Sequence, residues 1–408
     1  MIVEFSVTNF KCFRKKTTIS FIANTQVEGA DIKPETLIEV NKFGIDYLVK
    51  SIVIYGANAS GKSSFLQGFQ MFTDLLLASV TGSIGIATAG YYKNFTFLLD
   101  EEQKNKPIEF EIIFIKNKRL FKYGFSFNAK GIVHEILEEQ KDKESEVIYS
   151  RNANGDFKGF EDYQNEVEPD KLFIGRLKLA NKEEGRLFYN YFTVENIHQL
   201  TNQHTFNKLS EGDENFKKWF LENMKYTDKI IKDFELKKDL MPFVNYDLTS
   251  RLASSQDAEV GKILMQRRNK MENIVSFEDF LESEGTKKMI RILGLYYDFW
   301  NGNHLCFEDE IDKSLHPLLL KHLFETFFAF KNEKGEKSTA QLLATTHDVS
   351  LLDANIFRKD QIWFTEKDED TGESKLYSLS HFIFNNETKP KNLLEEYLFG
   401  RFGAVPKI

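Results

Sequence analysis

The sequence predicts an α/β fold: a mixed sheet with a β-hairpin subdomain, interrupted by a mainly helical insertion. Three observations predict it. The apolar run SIVIY (51–55) passes through the glycine-bracketed GANASGKSS (56–64) into FLQGFQMF, a strand–loop–helix order that suits a phosphate cradle. Residues 108–150 hold four alternating runs, IEFEIIFI, LFKYGFSF, GIVHEILEEQ and SEVIYS, the first three separated by KNKR and NAKG; these read as consecutive hairpins. From residue 284 onward, helical and strand patterns alternate strictly.

Taken in order, MIVEFSV is a strand of period two, NFKCFRKK a turn with a basic cluster, and TTISFIA a second strand. The run YLVKSIVIY leads into the glycine loop. After it, Phe65, Leu66, Phe69, Phe72, Leu75 and Leu76 recur at helical spacing, and TGSIGIATAG (81–90) reads as a mobile glycine-rich loop. Residues 151–280 are more polar and read as mostly helical, for example ENFKKWFLENMKYTDKIIKDF, with no sustained heptads for a coiled-coil arm. GTKKMIRILGLYYDFW is then a helix, HLCFED a strand, PLLLKHLFETFFAF a helix, QLLATTHD and QIWFTEKD strands, and LLEEYLFG a short helix. The acidic EKDEDTGES (366–374) is an exposed hairpin turn. Three segments follow: 1–150 and 281–408 as the two halves of a head, and 151–280 as the insertion.

Composition bounds the function. The chain has 408 residues, 41% hydrophobic, with 39 Phe, enough for a sizeable core. A net charge of −8 excludes a blanket nucleic-acid coat, so any DNA or RNA contact needs a local basic patch. Candidates are Lys11, Arg14, Lys15 and Lys16; Lys116, Lys118 and Arg119; and Arg267, Arg268 and Lys270, all of which read first as solvated faces. Cys12 and Cys306 stand far apart with no metal-ligand spacing, which fits a reducing cytoplasm. No apolar run is long enough for a membrane span and no secretion signal opens the chain.

Gly56, Gly61, Lys62 and Ser63 complete G-x-x-x-x-G-K-[ST]. The glycines let successive N–H groups converge, and the helix N-terminus adds its positive end. Lys62 is expected on the β- and γ-phosphates of ATP and Ser63 on Mg²⁺. Asn58, Ser60 and Ser64 belong to the same cradle. In HLCFEDEIDKSLHP, Asp309 at the end of an apolar strand is expected to hold Mg²⁺ through water, and Glu310 to act as general base on an attacking water. Ser283 and Gly285 in SEGTKK open a helix whose N-terminus suits an anion. His347 follows the strand QLLATT and by itself reads as a surface-loop histidine.

This order of motifs resembles an ATP-binding-cassette head of the SMC/RecF/OLD branch, and NFKCF is similar to the opening of that branch. GANASGKSS, LESEGTKK, FEDEIDKSLHP, TTHD and GRFGAVP resemble the AAA-type ATPases of abortive-infection and phage-defence systems (AbiLi-, RloA- and AriA-like proteins). The likeness covers 1–77 and 281–408, and 78–280 only loosely. Glu284 and Thr286 depart from the transporter signature. The resemblance implies a Mg²⁺-dependent ATPase that forms a homodimer or higher homo-oligomer, each head lending Ser283–Gly285 to the other's ATP, with Asp312 and Ser314 at that interface. It implies hydrolysis through Glu310, and a separate effector nuclease of Toprim type, since about sixty residues after His347 are too few for one. A glutamine ligand is expected after the first helix; Gln67 and Gln70 lie too early. The alternatives are a RecF-like DNA-repair ATPase that clamps DNA, and a nucleotide-binding module with little turnover, against which Glu310 argues.

Overall fold

The computed structural model describes residues 1–24, 33–81, 92–141, 144–192, 202–247, 252–352, 355–382 and 392–405. The glycine-rich loop expected at 81–90 lies, after Thr81, outside them. In chain order the elements are β1 (Ile2–Thr8), β2 (Thr17–Ser20), β3 (Leu37–Lys42), β4 (Ile45–Val49), β5 (Ser51–Tyr55), α1 (Lys62–Thr81), β6 (Ile108–Lys116), β7 (Arg119–Asn128), β8 (Gly131–Lys141), β9 (Glu144–Asn152) and β10 (Phe157–Lys158). There follow α2 (Phe173–Leu179), α3 (Glu183–Phe192), α4 (Asn202–Ser210), α5 (Glu214–Thr227), β11 (Ile231–Asp247), β12 (Leu252–Arg268), β13 (Ile274–Phe277) and α6 (Glu284–Gly302). The chain continues with β14 (Leu305–Glu308), α7 (Pro317–Ala329), β15 (Gln341–Thr345), β16 (Ile362–Lys367), β17 (Ser374–Ser378) and α8 (Leu393–Leu398).

The chain divides into two units: 1–197 with 303–312 and 324–408, and 198–302 with 313–323. The first holds two large sheets. One is antiparallel, in the order β10-β9-β8-β7-β6-β1-β2, and contains the expected hairpins. The other runs β14-β15-β5-β16-β17, parallel except for β17. Parallel strands are apolar throughout because both faces are covered; β5 and β15 are buried at every position.

Helix α1 carries the core of this unit. Its Phe69 touches Phe5 of β1 at 4.8 Å between centroids and Phe307 of β14 at 5.4 Å, so one residue meets both sheets. Phe65 and Phe72 also meet Phe5, and Phe72 stacks on Phe125. The abundant Phe is therefore packing material; each buried ring stabilises by roughly 1.5–3 kcal/mol. One buried charge is built in beside it. Glu135, fully buried, accepts from Tyr123 and Tyr149 hydroxyls, from Arg151 Nε at 2.8 Å, and from the backbone N–H groups of Phe173 and Ile174. These donors occupy the acceptor sites of both oxygens, as a buried carboxylate needs.

The unit boundaries fall elsewhere than the three expected segments. Residues up to 192 join the first unit because Phe188 and Phe192 of α3 pack on Phe114 at 5.0 and 5.1 Å. In the second unit, Phe216 and Trp219 of α5 pack on Tyr297 and Trp300 of α6. The insertion, read as mostly helical, is helical only in part. β11 and β12 form a long antiparallel hairpin, and β13 adds a third strand. The predicted helix stops at Thr227, and the segment IKDF is already strand. Cross-strand pairing over this distance has no local periodicity to announce it, and charged residues interrupt the alternation. Pro242 is accommodated because β11 is an edge strand.

Candidate nucleotide site

Gly56–Gly61 link β5 to α1. A Cβ at Gly56 would lie 2.5 Å from Thr365 O, and one at Gly61 2.9 Å from Cys12 Sγ; both have positive φ (154° and 118°). Only glycine meets both demands. Ala59, at φ 61°, holds a left-handed turn inside the loop. Ser60 Oγ pairs with Thr365 Oγ1 at 2.5 Å. The NFKCF turn supports the loop from below: Phe13 packs on Phe65 at 5.7 Å, and the Cys12 carbonyl accepts from Ser374 N.

Lys62 is buried and its Nζ donates to the carbonyls of Gly56 (2.7 Å) and Ala57 (3.1 Å). Burial lowers its pKa, opposed by the carboxylates of Asp309, Glu310 and Asp312. Ser63 Oγ donates to Asp309 Oδ1 at 3.1 Å, and Thr345 Oγ1 donates to the same oxygen at 2.6 Å. Thr345 Oγ1 in turn accepts from the backbone N–H of Glu310 at 2.8 Å. Glu310 itself is left-handed (φ 51°), a conformation a non-glycine residue holds only when its surroundings fix it. The backbone N–H of His347 donates to Asp312 Oδ1 at 3.1 Å, and the His347 side chain is exposed.

The structure thus brings together Lys62, Ser63, Asp309, Glu310 and, through Asp312, His347. Thr345, which ties Asp309 to Glu310, was not singled out in the sequence; its place at the end of β15, beside β14, is the signal. A cavity of about 1030 Å³ lies against Gly56–Ser60, Thr346 and His347, and is lined further by residues 365–370 and by Tyr397, Leu398, Ala404 and Val405. The GRFGAV stretch is held there by Tyr377 and Tyr397, whose hydroxyls donate to Phe402 O and Ala404 O. Lys62, Ser63 and Asp309 do not line the cavity, and their hydrogen bonds mark where phosphate and metal would be held. Tyr55, on the cavity wall, is buried, and its hydroxyl lacks a hydrogen-bond partner among the described residues.

Ser283 and Gly285 lie in the second unit. Ser283 caps α6: its Oγ accepts from Thr286 N at 3.1 Å. A Cβ at Gly285 would sit 2.9 Å from Ser314 O, and Ser314 is left-handed at φ 65°. Gly285 and Ser314, both implied at an interface, are therefore in close contact within the second unit. Gln67 accepts from Lys11 of the NFKCF turn, and Gln70 donates to Asp74 on α1 itself.

A Mg²⁺ site of a phosphate-loop protein needs hard oxygen donors beside the loop. Ser63 Oγ and Asp309 Oδ1, in mutual contact, supply two, and the glycine cradle leaves no side chain in the phosphate's way. The residues fit ATP and Mg²⁺.

The family model described as "AAA domain, putative AbiEii toxin, Type IV TA system" matches residues 51–353, a span from β5 to past His347. The chain belongs to this family. Among solved structures the chain is similar to the SMC head domain from Thermotoga maritima, at 12% identity and a TM-score of 0.41, over 92% of this chain and 98% of that one. That likeness is too loose to argue from. No curated protein matches the chain. Among the described residues no helix is long and apolar enough to cross a membrane.

Proposed function

We propose that the protein hydrolyses ATP in a nucleotide sandwich and acts as the sensor or scaffold of an anti-phage, abortive-infection system controlling a separate effector nuclease of Toprim type. The observation that carries the hydrolytic part is the chain Ser63–Asp309–Thr345–Glu310 beside Lys62. Bound nucleotide and Mg²⁺ supply the scissile anhydride and its polarising charge. Lys62 would exchange neutral carbonyl acceptors for phosphate oxygens, which are stronger partners. Ser63 and Asp309 would hold the metal. Glu310 would take a proton from water, with its backbone pinned by Thr345. His347 would report on the γ-phosphate from the exposed end of β15.

The defence role is supported by the family's description as a toxin of a toxin–antitoxin system. The sandwich is supported by Ser283 and Gly285 at an N-terminus of a long helix. The rival reading, a RecF-like clamp on DNA, has less to stand on. Arg14, Lys16, Arg119 and Arg268 are each already paired with a carboxylate. Cytoplasmic placement belongs to the same proposal.

Solution mass by light scattering tests it, on wild type and Glu310→Gln, with and without ATP and Mg²⁺. The expected result is an ATP-dependent rise in mass that decays in wild type and persists in Glu310→Gln, whose turnover falls at least a hundredfold. Mass indifferent to ATP in both proteins would overturn the sandwich. An unchanged rate in Glu310→Gln would remove Glu310 from the chemistry.

A further inference from the structure

Arg267 was first read as part of a solvated basic cluster, yet its side chain is only 9% exposed. It lies on β12, the central strand of the three-stranded sheet, and pairs with Ile231 of β11 and Val275 of β13. Its guanidinium grips Glu282 with two parallel bonds of 2.6 and 2.8 Å, gives Nε to Asp228 at 2.8 Å, and lies 4.4 Å over the Phe277 ring. Glu282 is the residue immediately before Ser283, the cap of α6.

The turn that carries Glu282 is closed by its own backbone hydrogen bonds, Leu281 N to Glu278 O and Glu282 N to Asp279 O, and is anchored to β12 by the Glu282 side chain. Phe280 and Leu281 are 76% and 59% exposed, whereas the Glu282 side chain is 3% exposed. A bidentate Arg–carboxylate pair fixes both distance and orientation, which a single ammonium cannot. The strands of the hairpin extend from this same point. We infer that Arg267 is a positioning residue: it sets the placement of Ser283 and couples the β11–β12 arm to the nucleotide contact made across the sandwich. Force or binding on the arm reaches Ser283 through this ion pair, beside the β12–β13 ladder that leads into the same turn. The inference rests on the sandwich reading above and deepens it by naming the route of regulation.

Two variants mixed in equal amounts test it. One carries Lys62→Ala and contributes only its Ser283 segment; the other carries Ser283→Ala and contributes only its phosphate loop. Each is inactive alone, so hydrolysis in the mixture reports Ser283 acting across the interface. No hydrolysis in this reference mixture sinks the sandwich and the inference with it. Given hydrolysis, Arg267→Met in the Lys62→Ala chain is expected to cut turnover at least tenfold, and Arg267→Lys by less. The same substitution in the Ser283→Ala chain, whose Ser283 segment is not used, is expected to leave turnover unchanged. An equal fall in both placements shows a merely structural role and overturns the inference, as does no fall in the first. If Arg267→Met does not fold, Arg267→Lys carries the same two-way comparison.

Discussion

Tyr55 ends the strand that feeds the phosphate loop, and its buried hydroxyl has no hydrogen-bond partner among the described residues. Burial pushes its pKa well up, and the carboxylates of Asp348 and Asp312 add to this. An unsatisfied buried hydroxyl costs about 1–3 kcal/mol. Tyr55→Phe is therefore expected to leave the melting temperature unchanged or raise it, while keeping the ring contacts with Phe364 and Tyr397. A fall of several degrees would mean that the hydroxyl is engaged after all. At this scale the sequence was most readable: glycines, lysine and serine at fixed spacing announce a loop whose chemistry is local. Thr345 was not readable as a hub, because its partners Asp309 and Glu310 lie more than thirty residues away and meet it only when β14 and β15 pair.

Helix α1 shows why the elements hold. Its start adjoins the phosphate loop and its middle is the core, so the loop and the core share one rod. Phe69 fills the space between β1 and β14. Phe69→Ala should cost about 3–5 kcal/mol, the usual penalty for emptying an aromatic site. Urea unfolding measures it; a loss below 1 kcal/mol would show that the two sheets close over the gap. The helical spacing of this segment was legible because an amphipathic rod writes its contacts into the local sequence. The hairpin of β11 and β12 was not, because a ladder is made with residues far along the chain, and many of its charges lie between apolar positions.

Across the whole molecule the charge balance sets the response to pH. The Arg119 guanidinium, through its hydrogen bonds, holds the Glu139 carboxyl below its ordinary value. A carboxylate depressed in the folded state adds stability above its unfolded pKa, and that stability is lost as pH falls through the folded pKa. Unfolding free energy is thus expected to be level near neutrality and to decline below the ordinary carboxylate range. In Arg119→Met the decline should be shallower and the neutral-pH stability lower; an identical pH profile would show that the pair is inert. The pair is partly exposed, so added salt should weaken its share.

The sequence by itself determined that a nucleotide loop exists, that an acidic strand end and a histidine-ended strand accompany it, and that α/β architecture carries them. These are properties of short stretches, written in residue type and spacing. Only the tertiary structure decided that Ser63 and Asp309 share a hydrogen bond, that Cys12 backs Gly61, and that Arg267 is a buried clamp on Glu282 rather than a solvated charge. Each of those depends on which distant strands pair, and pairing is chosen by the sum of many weak contacts rather than by any one segment's pattern.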